Sequence, residues 1–382
     1  MDFALSEEHE AIRQVAREFT EKKLIPRADE FDHTGKMDLA LAREMGEAGF
    51  LGIIVPEVYG GTGLDTLAYA IVMEELGRGC ASHSTLVGAH NSLFGHPILT
   101  FGNEEQKSFY LPPICSGEKF GAFSLTEPNA GSDAAGIETV ATRDGDDYVL
   151  NGNKIFVSNG AFADYIIIMT KTDRRAGPRS MTAFIVHKDM PGYSIGHIEE
   201  KMGLHASPTT ELILEDLRVP SVNMLGKVGQ GFRIALSSLD CGRISVAANA
   251  VGLAQRAFEL ALKYSKERRQ FGQPISSFQL IQAHLADMHC RLEAARLLVY
   301  QSAWKKDRGG DYTTEAATAK LVASETATFV THRAIQILGG YGYLREYEVE
   351  RLYRDARITE LFEGTSEIQR LVIARGLIKH GQ

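Results

Sequence analysis

The sequence predicts a mainly helical protein with a central β domain. Three observations carry this. Apolar residues follow a helical period from residue 1 to about 118, a strand pattern takes over from Lys119 to about Gly226, and the helical period returns after Gly229-Gln230-Gly231 and persists to the end. The expected domains are 1–118, helical; 119–228, β; and 229–382, helical.

In the first region Ser6 is placed to cap a helix with Glu7 and Glu8 in its first turn, and Ile12, Val15, Ala16 and Phe19 form one apolar face. Further helices are expected over 38–49, 66–78 and 82–100; Pro56 and Gly60-Gly61 mark a loop, and Pro112-Pro113 closes the region. Strands are expected at 120–125, 148–150, 155–157, 165–170, 181–186 and 211–214, with Asp144-Gly145 and Asn151-Gly152 as hairpin turns. Strands so spaced, with no helix between them, indicate an antiparallel sheet or barrel. The last region should hold helices at 231–266, 276–307, 313–338, 346–356 and 366–379. Ala247, Val251, Ala254, Phe258 and Ala261 or Leu262 form one stripe, and Leu292, Ala295, Leu298 and Val299 another, as in a helical bundle.

With 382 residues the chain has room for two or three domains and a large core. Its 44% hydrophobic and 24% charged residues are ordinary for a globular protein, and a net charge of −8 argues against non-specific binding to nucleic acid or acidic membrane. No apolar run approaches a membrane span, and the acidic start, Met1 to Glu8, has no signal-peptide pattern. The expectation is a cytoplasmic protein, or a mitochondrial matrix protein whose transit peptide has been removed. Cys80, Cys115, Cys241 and Cys290 form no C-x-x-C pair, which suits a reducing compartment. His284 and His289 are five apart, on different helix faces, so no metal site is assigned.

No G-x-G-x-x-G, P-loop or G-x-S-x-G motif is present, which disfavours a Rossmann dehydrogenase, a P-loop enzyme and an α/β-hydrolase. Five clusters remain. Phe123 to Asp133 runs from a strand through Pro128 into small residues, either an exposed ligand-binding loop or a plain turn. In Lys154 to Gly160, alternation sends Phe156 and Ser158 to one face, beside a ring-shaped ligand or into a core. Arg268, in Glu267 to Pro274, offers a fork for a diphosphate or complements a helix C-terminus. Gly339-Gly340 is a helix cap or a place of close ligand approach. Finally, Ile358 to Gln369 sets Glu363 between Phe362 and Gly364, before a helix with Ser366 as expected N-cap and Gln369 at capping-box spacing. Glu363 is then either a general base in an apolar pocket or a surface glutamate near a helix start.

Taken together, Leu125-Thr126-Glu127-Pro128 with Gly131-Ser132-Asp133, Arg268 with Phe271-Gly272, Gln336 to Gly340, and Glu363-Gly364-Thr365 resemble the acyl-CoA dehydrogenase family of flavoproteins over nearly the whole chain. The resemblance implies an N-terminal helical domain, a middle β-barrel-like domain and a C-terminal four-helix bundle, assembled as a homotetramer, a dimer of dimers. It implies FAD, with Phe123, Leu125, Thr126, Ser132, Phe156 and Ser158 toward the flavin. Arg268, Phe271, Gln279, Gln336, Gly339 and Gly340 would hold the diphosphate and adenosine end in a neighbouring subunit, and Thr365 and Glu367 also fall at FAD-contacting positions. Ser132, Asp240, Arg243, Gly364 and Arg370 fall along the acyl-CoA path. Glu363 would take the α-proton of an acyl-CoA while the β-hydrogen leaves as hydride, giving a trans-2-enoyl-CoA, with electrons passing to electron-transfer flavoprotein.

Two departures bear on the site. Many members have Trp where this chain has Phe156, and members with their base on the earlier helix carry it where this chain has Gly242. The alternatives are an oxygen-using acyl-CoA oxidase-like relative and a family member turned binding protein. The Asp240-Cys241-Gly242-Arg243 stretch is most like short-chain members and points to short or branched-short acyl groups.

Overall fold

The computed structural model describes residues 4–173 and 177–380, so Met1 to Phe3 of the acidic start lie outside the described residues. The first region holds α1 (Glu7–Phe19), α2 (Ala28–Thr34), α3 (Leu39–Glu47), α4 (Thr66–Gly79), α5 (Ala81–Gly88), α6 (His96–Phe101) and α7 (Glu104–Cys115). A π-helical stretch, Ala89–Gly95, joins α5 to α6. Ser6 caps α1 as expected, accepting from the His9 N–H at 3.2 Å. Val15 departs from its expected face: it is exposed, while Ala16 is buried. Helix α7 was not expected; Asn103 and Gln106 form a capping box at its start, and Pro112-Pro113 sit in its last turns rather than beyond them.

The middle region is one sheet of β1 (Gly121–Ser124), β2 (Val140–Asp144), β3 (Asp147–Ser158), β4 (Tyr165–Lys171), β5 (Met181–His187), β6 (Tyr193–Ile198), β7 (Thr209–Pro220) and β8 (Met224–Leu225). Its order is β6-β7-β3-β2-β4-β5-β8, with β1 beside β4. It is mixed rather than purely antiparallel, because β1 runs parallel to β4 and β2 meets β4 in parallel at Val140 and Lys171. The run Tyr165-Ile166-Ile167-Ile168-Met169 is apolar at every position because both faces of β4 are covered. Ile167 and Met169 join a core with Ile98, Leu111 and Ile114, while Ile166 and Ile168 join one with Leu150, Leu212 and Val219.

Asp144-Gly145 does open the β2–β3 hairpin, with Asp144 opposite Asp147. Asn151-Gly152 does not make a turn. It lies inside β3, where the register against β7 slips between Leu150 and Gly152. Gly152 has φ +148°, and a Cβ there would stand 2.5 Å from Thr139 Oγ1, so the glycine permits a bulge instead of a reversal. The segments expected at 148–150 and 155–157 are therefore one bent strand.

The last region holds α8 (Gly231–Glu267), the two-residue strands β9 (Arg269–Gln270) and β10 (Gln273–Pro274), α9 (Gln279–Asp307), α10 (Thr313–Leu338), α11 (Val349–Arg357) and α12 (Ser366–His380). Both expected stripes face inward: Ala247, Val251, Ala254 and Ala261 are buried on α8, and Leu292, Ala295 and Val299 on α9. They share one core with residues of α1 to α5, so the first and last regions pack as a unit.

Helix α8 meets α4 through glycines on both sides. A Cβ at Gly252 would stand 2.1 Å from the Glu74 carbonyl oxygen, and one at Gly77 would stand 2.7 Å from the Asn249 carbonyl oxygen. Gly252→Ala must push two long helices apart, which costs about 1–3 kcal/mol. The expected outcome is a melting temperature lower by several degrees, read by circular dichroism; unchanged melting would contradict the close crossing.

Candidate active site

Glu363 lies in the connection between α11 and α12. A 3-10 turn, Ile358–Glu360, ends with the Leu361 and Phe362 N–H groups donating to the Ile358 carbonyl at 2.8 and 3.1 Å. The chain then enters the left-handed region at two successive residues, Glu363 at φ +52° and Gly364 at φ +97°. A non-glycine residue held there costs about 1–3 kcal/mol, so surrounding bonds must fix it. They come from two helices. Gln369 Nε2 donates to the Glu363 and Gly364 carbonyls at 3.2 and 2.9 Å, and Lys320 Nζ of α10 donates to the Gly364 carbonyl at 2.7 Å. The expected capping box is thus corrected. Thr365 is the cap, its Oγ1 accepting from the Ile368 N–H at 3.3 Å, while Ser366 opens the helix and Gln369 serves the turn.

The carboxylate points at α8. A Cβ at Gly242 would lie 1.9 Å from Glu363 Oε2, so the absence of a side chain at 242 is what makes the seat. Glu363 as a residue is half-buried, yet its Oε2 is shielded from solvent and has no hydrogen-bond partner among the described residues. Burial lifts this carboxyl from 4.5 to about 7, with the charges of Lys320 and then Arg243 pulling the other way. A carboxylate poised near neutral pH, with an unoccupied oxygen, is equipped to accept a proton from carbon.

Asp240 and Arg243 flank Gly242 on α8, two residues before it and one after it. Arg243 Nη1 donates to Asp240 Oδ1 at 2.5 Å, Thr313 Oγ1 donates to Asp240 Oδ2 at 2.8 Å, and Arg243 Nε is buried without a partner. This pair ties α8 to the start of α10 close to the base. Arg370, expected along the acyl-CoA path, is exposed on α12 and paired with Glu325 at 2.5 Å.

The β-domain residues form a second group. Leu125 and Thr126 follow β1, half-buried, and the Ile155 N–H donates to the Thr126 carbonyl at 2.9 Å. Phe156 has φ +57° and is 59% exposed, at a second slip in the β3 register between Lys154 and Val157. Phe156 and Ser158 are both more open than the buried Val157 between them, as expected, but a bulge rather than plain alternation brings this about. Phe123, expected toward the flavin, has its side chain in a core with Ile167 and Ile185. Ser132 is exposed on the loop beyond.

The sequence reading missed what holds this group. Lys154 and Glu127 are buried, at 0% and 4% exposure, and paired at 2.7 Å. Lys154 Nζ also donates to the Leu125 carbonyl at 3.2 Å, and Glu127 accepts from the Thr139 and Glu138 N–H groups. The pair clamps the loop after β1 onto the bulge of β3; breaking such a pair costs about 3–5 kcal/mol. Glu127 was legible only as part of the motif around Leu125, and nothing in the sequence pairs it with Lys154.

A third group lies at the far end of the helices. Arg268, Gly339 and Gly340 line a cleft of about 400 Å3 with Tyr264, Gln270 and Tyr341. The Arg268 guanidinium lies 5.4 Å from the Tyr341 ring centre and has no carboxylate partner among the described residues. A Cβ at Gly339 or Gly340 would meet nothing within 4 Å, so both face open space. Gln336, Gln279 and Phe271 are exposed near these elements but do not line the cleft; Phe271, at φ +50°, is 92% exposed. None of Leu125, Thr126, Phe156 and Ser158 lines it either.

Helices, mixed sheet and helices in this order, with a buried carboxylate at a left-handed turn, make a helical-bundle protein with a candidate acid–base site. Family models match in three stretches: acyl-CoA dehydrogenase, N-terminal domain, over residues 6–118; middle domain over 122–217; and C-terminal domain over 229–378. The chain belongs to the acyl-CoA dehydrogenase family. It is 49% identical to a short-chain specific acyl-CoA dehydrogenase of Clostridium acetobutylicum, over 98% of this chain and 99% of that one. A chain in a solved structure of the electron transferring flavoprotein of Acidaminococcus fermentans is 49% identical with TM-score 0.98, covering 99% of this chain and 100% of that one. Butyryl-CoA dehydrogenase of Megasphaera elsdenii is 47% identical with TM-score 0.97, again covering 99% and 100%.

The protein is an oxidoreductase that dehydrogenates acyl-CoA, with FAD as its cofactor. The residues fit that group on two observations. The unpaired Arg268 faces a cleft edged by two glycines that leave room for a diphosphate, and the clamped bulge presents an exposed Phe156 ring beside the Ser158 hydroxyl.

Gly242→Ala places a methyl group where Glu363 Oε2 now sits. The expected outcome is a loss of at least about 10²-fold in the rate of flavin reduction, with fold and bound FAD retained. Anaerobic stopped-flow absorbance measures it, and an unchanged rate would contradict this seat for the base.

Proposed function

We propose that Glu363 is the base of an acyl-CoA dehydrogenase acting on short acyl-CoA thioesters, with electron-transfer flavoprotein as acceptor and a homotetramer as working form. The carrying observation is the Glu363 carboxylate, shielded, unbonded at Oε2 and raised to about 7. The carboxylate takes the α-proton, and the Glu363 N–H, in the left-handed turn, is the donor assigned to the thioester oxygen as negative charge develops there. When bound, FAD supplies an acceptor for the β-hydrogen and its electron pair, so a 2-enoyl-CoA is left. Asp240 and Arg243 fix α8 beside the turn, and Gly364 keeps the approach to the base free of a side chain.

Short substrates are favoured by the names of the similar proteins from Clostridium and Megasphaera, a short-chain specific acyl-CoA dehydrogenase and a butyryl-CoA dehydrogenase. The likeness to a chain in the Acidaminococcus flavoprotein structure supports the acceptor. Assembly is supported by the exposed Phe271, Leu280 and Tyr343 around the Arg268 cleft, apolar surface that a second subunit would cover while completing the FAD site.

An acyl-CoA panel from four to sixteen carbons, with isobutyryl- and isovaleryl-CoA, tests the substrate by anaerobic flavin reduction; the fastest reduction is expected at the short end, and a long-chain optimum would contradict it. Reoxidation by electron-transfer flavoprotein should outpace that by oxygen, and the reverse identifies an oxidase. Glu363→Gln should keep FAD and acyl-CoA binding while reduction falls roughly 10²–10⁴-fold. Because the base works ionised, the wild-type rate should rise with pH through about 7 and level above it, and a flat profile would contradict the assignment. Arg268→Ala should weaken FAD retention and the tetramer together, measured by flavin release on gel filtration and by sedimentation.

A further inference from the structure

Lys320 stands inside α10, two turns from its start, in Ala319-Lys320-Leu321, with 0% exposure. A buried ammonium is expected to face a carboxylate. Instead, the one hydrogen bond Lys320 makes among the described residues runs to a backbone carbonyl, that of Gly364, at 2.7 Å. Gln369 Nε2 reaches the same oxygen from α12 at 2.9 Å. Two side chains from different helices thus converge on the carbonyl directly after the base.

We propose that Lys320 is a positioning residue: by donating to the Gly364 carbonyl it holds the left-handed Glu363–Gly364 turn in the arrangement that seats the Glu363 carboxylate against Gly242. The proposal rests on the reading of Glu363 as base. The geometry accounts for a cation where a neutral donor already exists. Glu363 at φ +52° relaxes if its turn is released, and Gly364, able to adopt most backbone conformations, offers no resistance. Gln369 belongs to the helix that begins at the turn and moves with it; Lys320 belongs to α10, which packs against α8 and therefore references the turn to Gly242.

The charge has a second effect. The charges acting on Glu363 are Lys320 from α10 and Arg243 from α8, and Glu363 in turn acts on Cys241 of α8 and Tyr69 of α4; those acting on Lys320 are Glu363, Arg243, Glu360 and Glu367. Among the charges, Lys320 opposes the effect of burial on Glu363 most strongly. Without it the carboxyl rises further, so the acid limb of the rate profile moves to higher pH.

The test uses wild-type, Lys320→Met and Lys320→Gln holoenzymes. Three readouts are taken: flavin reduction by butyryl-CoA against pH, uptake of deuterium at the α-carbon from D2O by NMR, and melting temperature with FAD content. Lys320→Met should lose at least about ten-fold in reduction rate and in α-exchange, with KM changed by less than about three-fold. Its acid limb should move up by about one pH unit. Lys320→Gln restores a neutral donor; it should recover most of the limiting rate at high pH yet keep the shifted limb. A Lys320→Met enzyme with wild-type rate, exchange and acid limb overturns the proposal. Should that variant fail to fold, Lys320→Gln alone decides, and an unshifted limb overturns it. Glu363→Gln is the inert control: if it exchanges and reduces like wild type, the reading of the base fails instead.

Discussion

A Cβ at position 242 would collide with the Glu363 carboxylate as it is seated. Much of the site follows from that steric fact. Glu363 reaches α8 only because Gly242 leaves a gap, and in that gap Oε2 is shielded and unbonded. Shielding raises the carboxyl toward neutral pH, while the neighbouring cations keep it from remaining protonated there. The left-handed turn is the backbone consequence: to aim a side chain from the loop between α11 and α12 into a gap in α8, the chain adopts a conformation that two carbonyl clamps must hold. A side chain at 242 would displace the Glu363 carboxylate from the place it holds against α8.

The fold brings these parts together by close packing of helices rather than by a loop on an open surface. Glycines 77 and 252 let α4 and α8 touch backbone to backbone, which fixes the helix carrying Gly242. The β domain contributes through a different device. Its exposed bulge at Phe156 is irregular backbone, and it persists because the buried Lys154–Glu127 pair ties it to the loop at Leu125. The parts proposed to meet FAD are thus divided between the bulge of β3, a strand inside the sheet, and the cleft at Arg268, two places on one chain that do not share a lining.

Long amphipathic elements were legible in the sequence. The helix expected at 313–338 has those bounds, and both stripes of the last region are core, because helical period and burial report the same fact. Glu363 was legible as an acid in an unusual setting beside Gly364, although its cap was misplaced by one residue, since Thr365 and Ser366 are equally able to cap and the turn geometry chooses between them. Asn151-Gly152 carries the composition of a hairpin but forms a bulge, because β3 continues to pair with β7 on both sides of it. Phe123 sits in a motif expected to face a ligand, and its side chain points to the core. Lys154 with Glu127, and Lys320 with Gly364, are contacts across 27 and 44 residues; no local pattern encodes them, and only the packed structure pairs them.

The central claim is that a side-chain-free position on α8 creates a shielded base that titrates near neutrality. Its most direct measurement is the titration of the Glu363 carboxyl itself, by infrared difference between wild-type and Glu363→Gln holoenzymes across pH. The account predicts a midpoint near 7, and a midpoint at the ordinary value of 4.5 would contradict it.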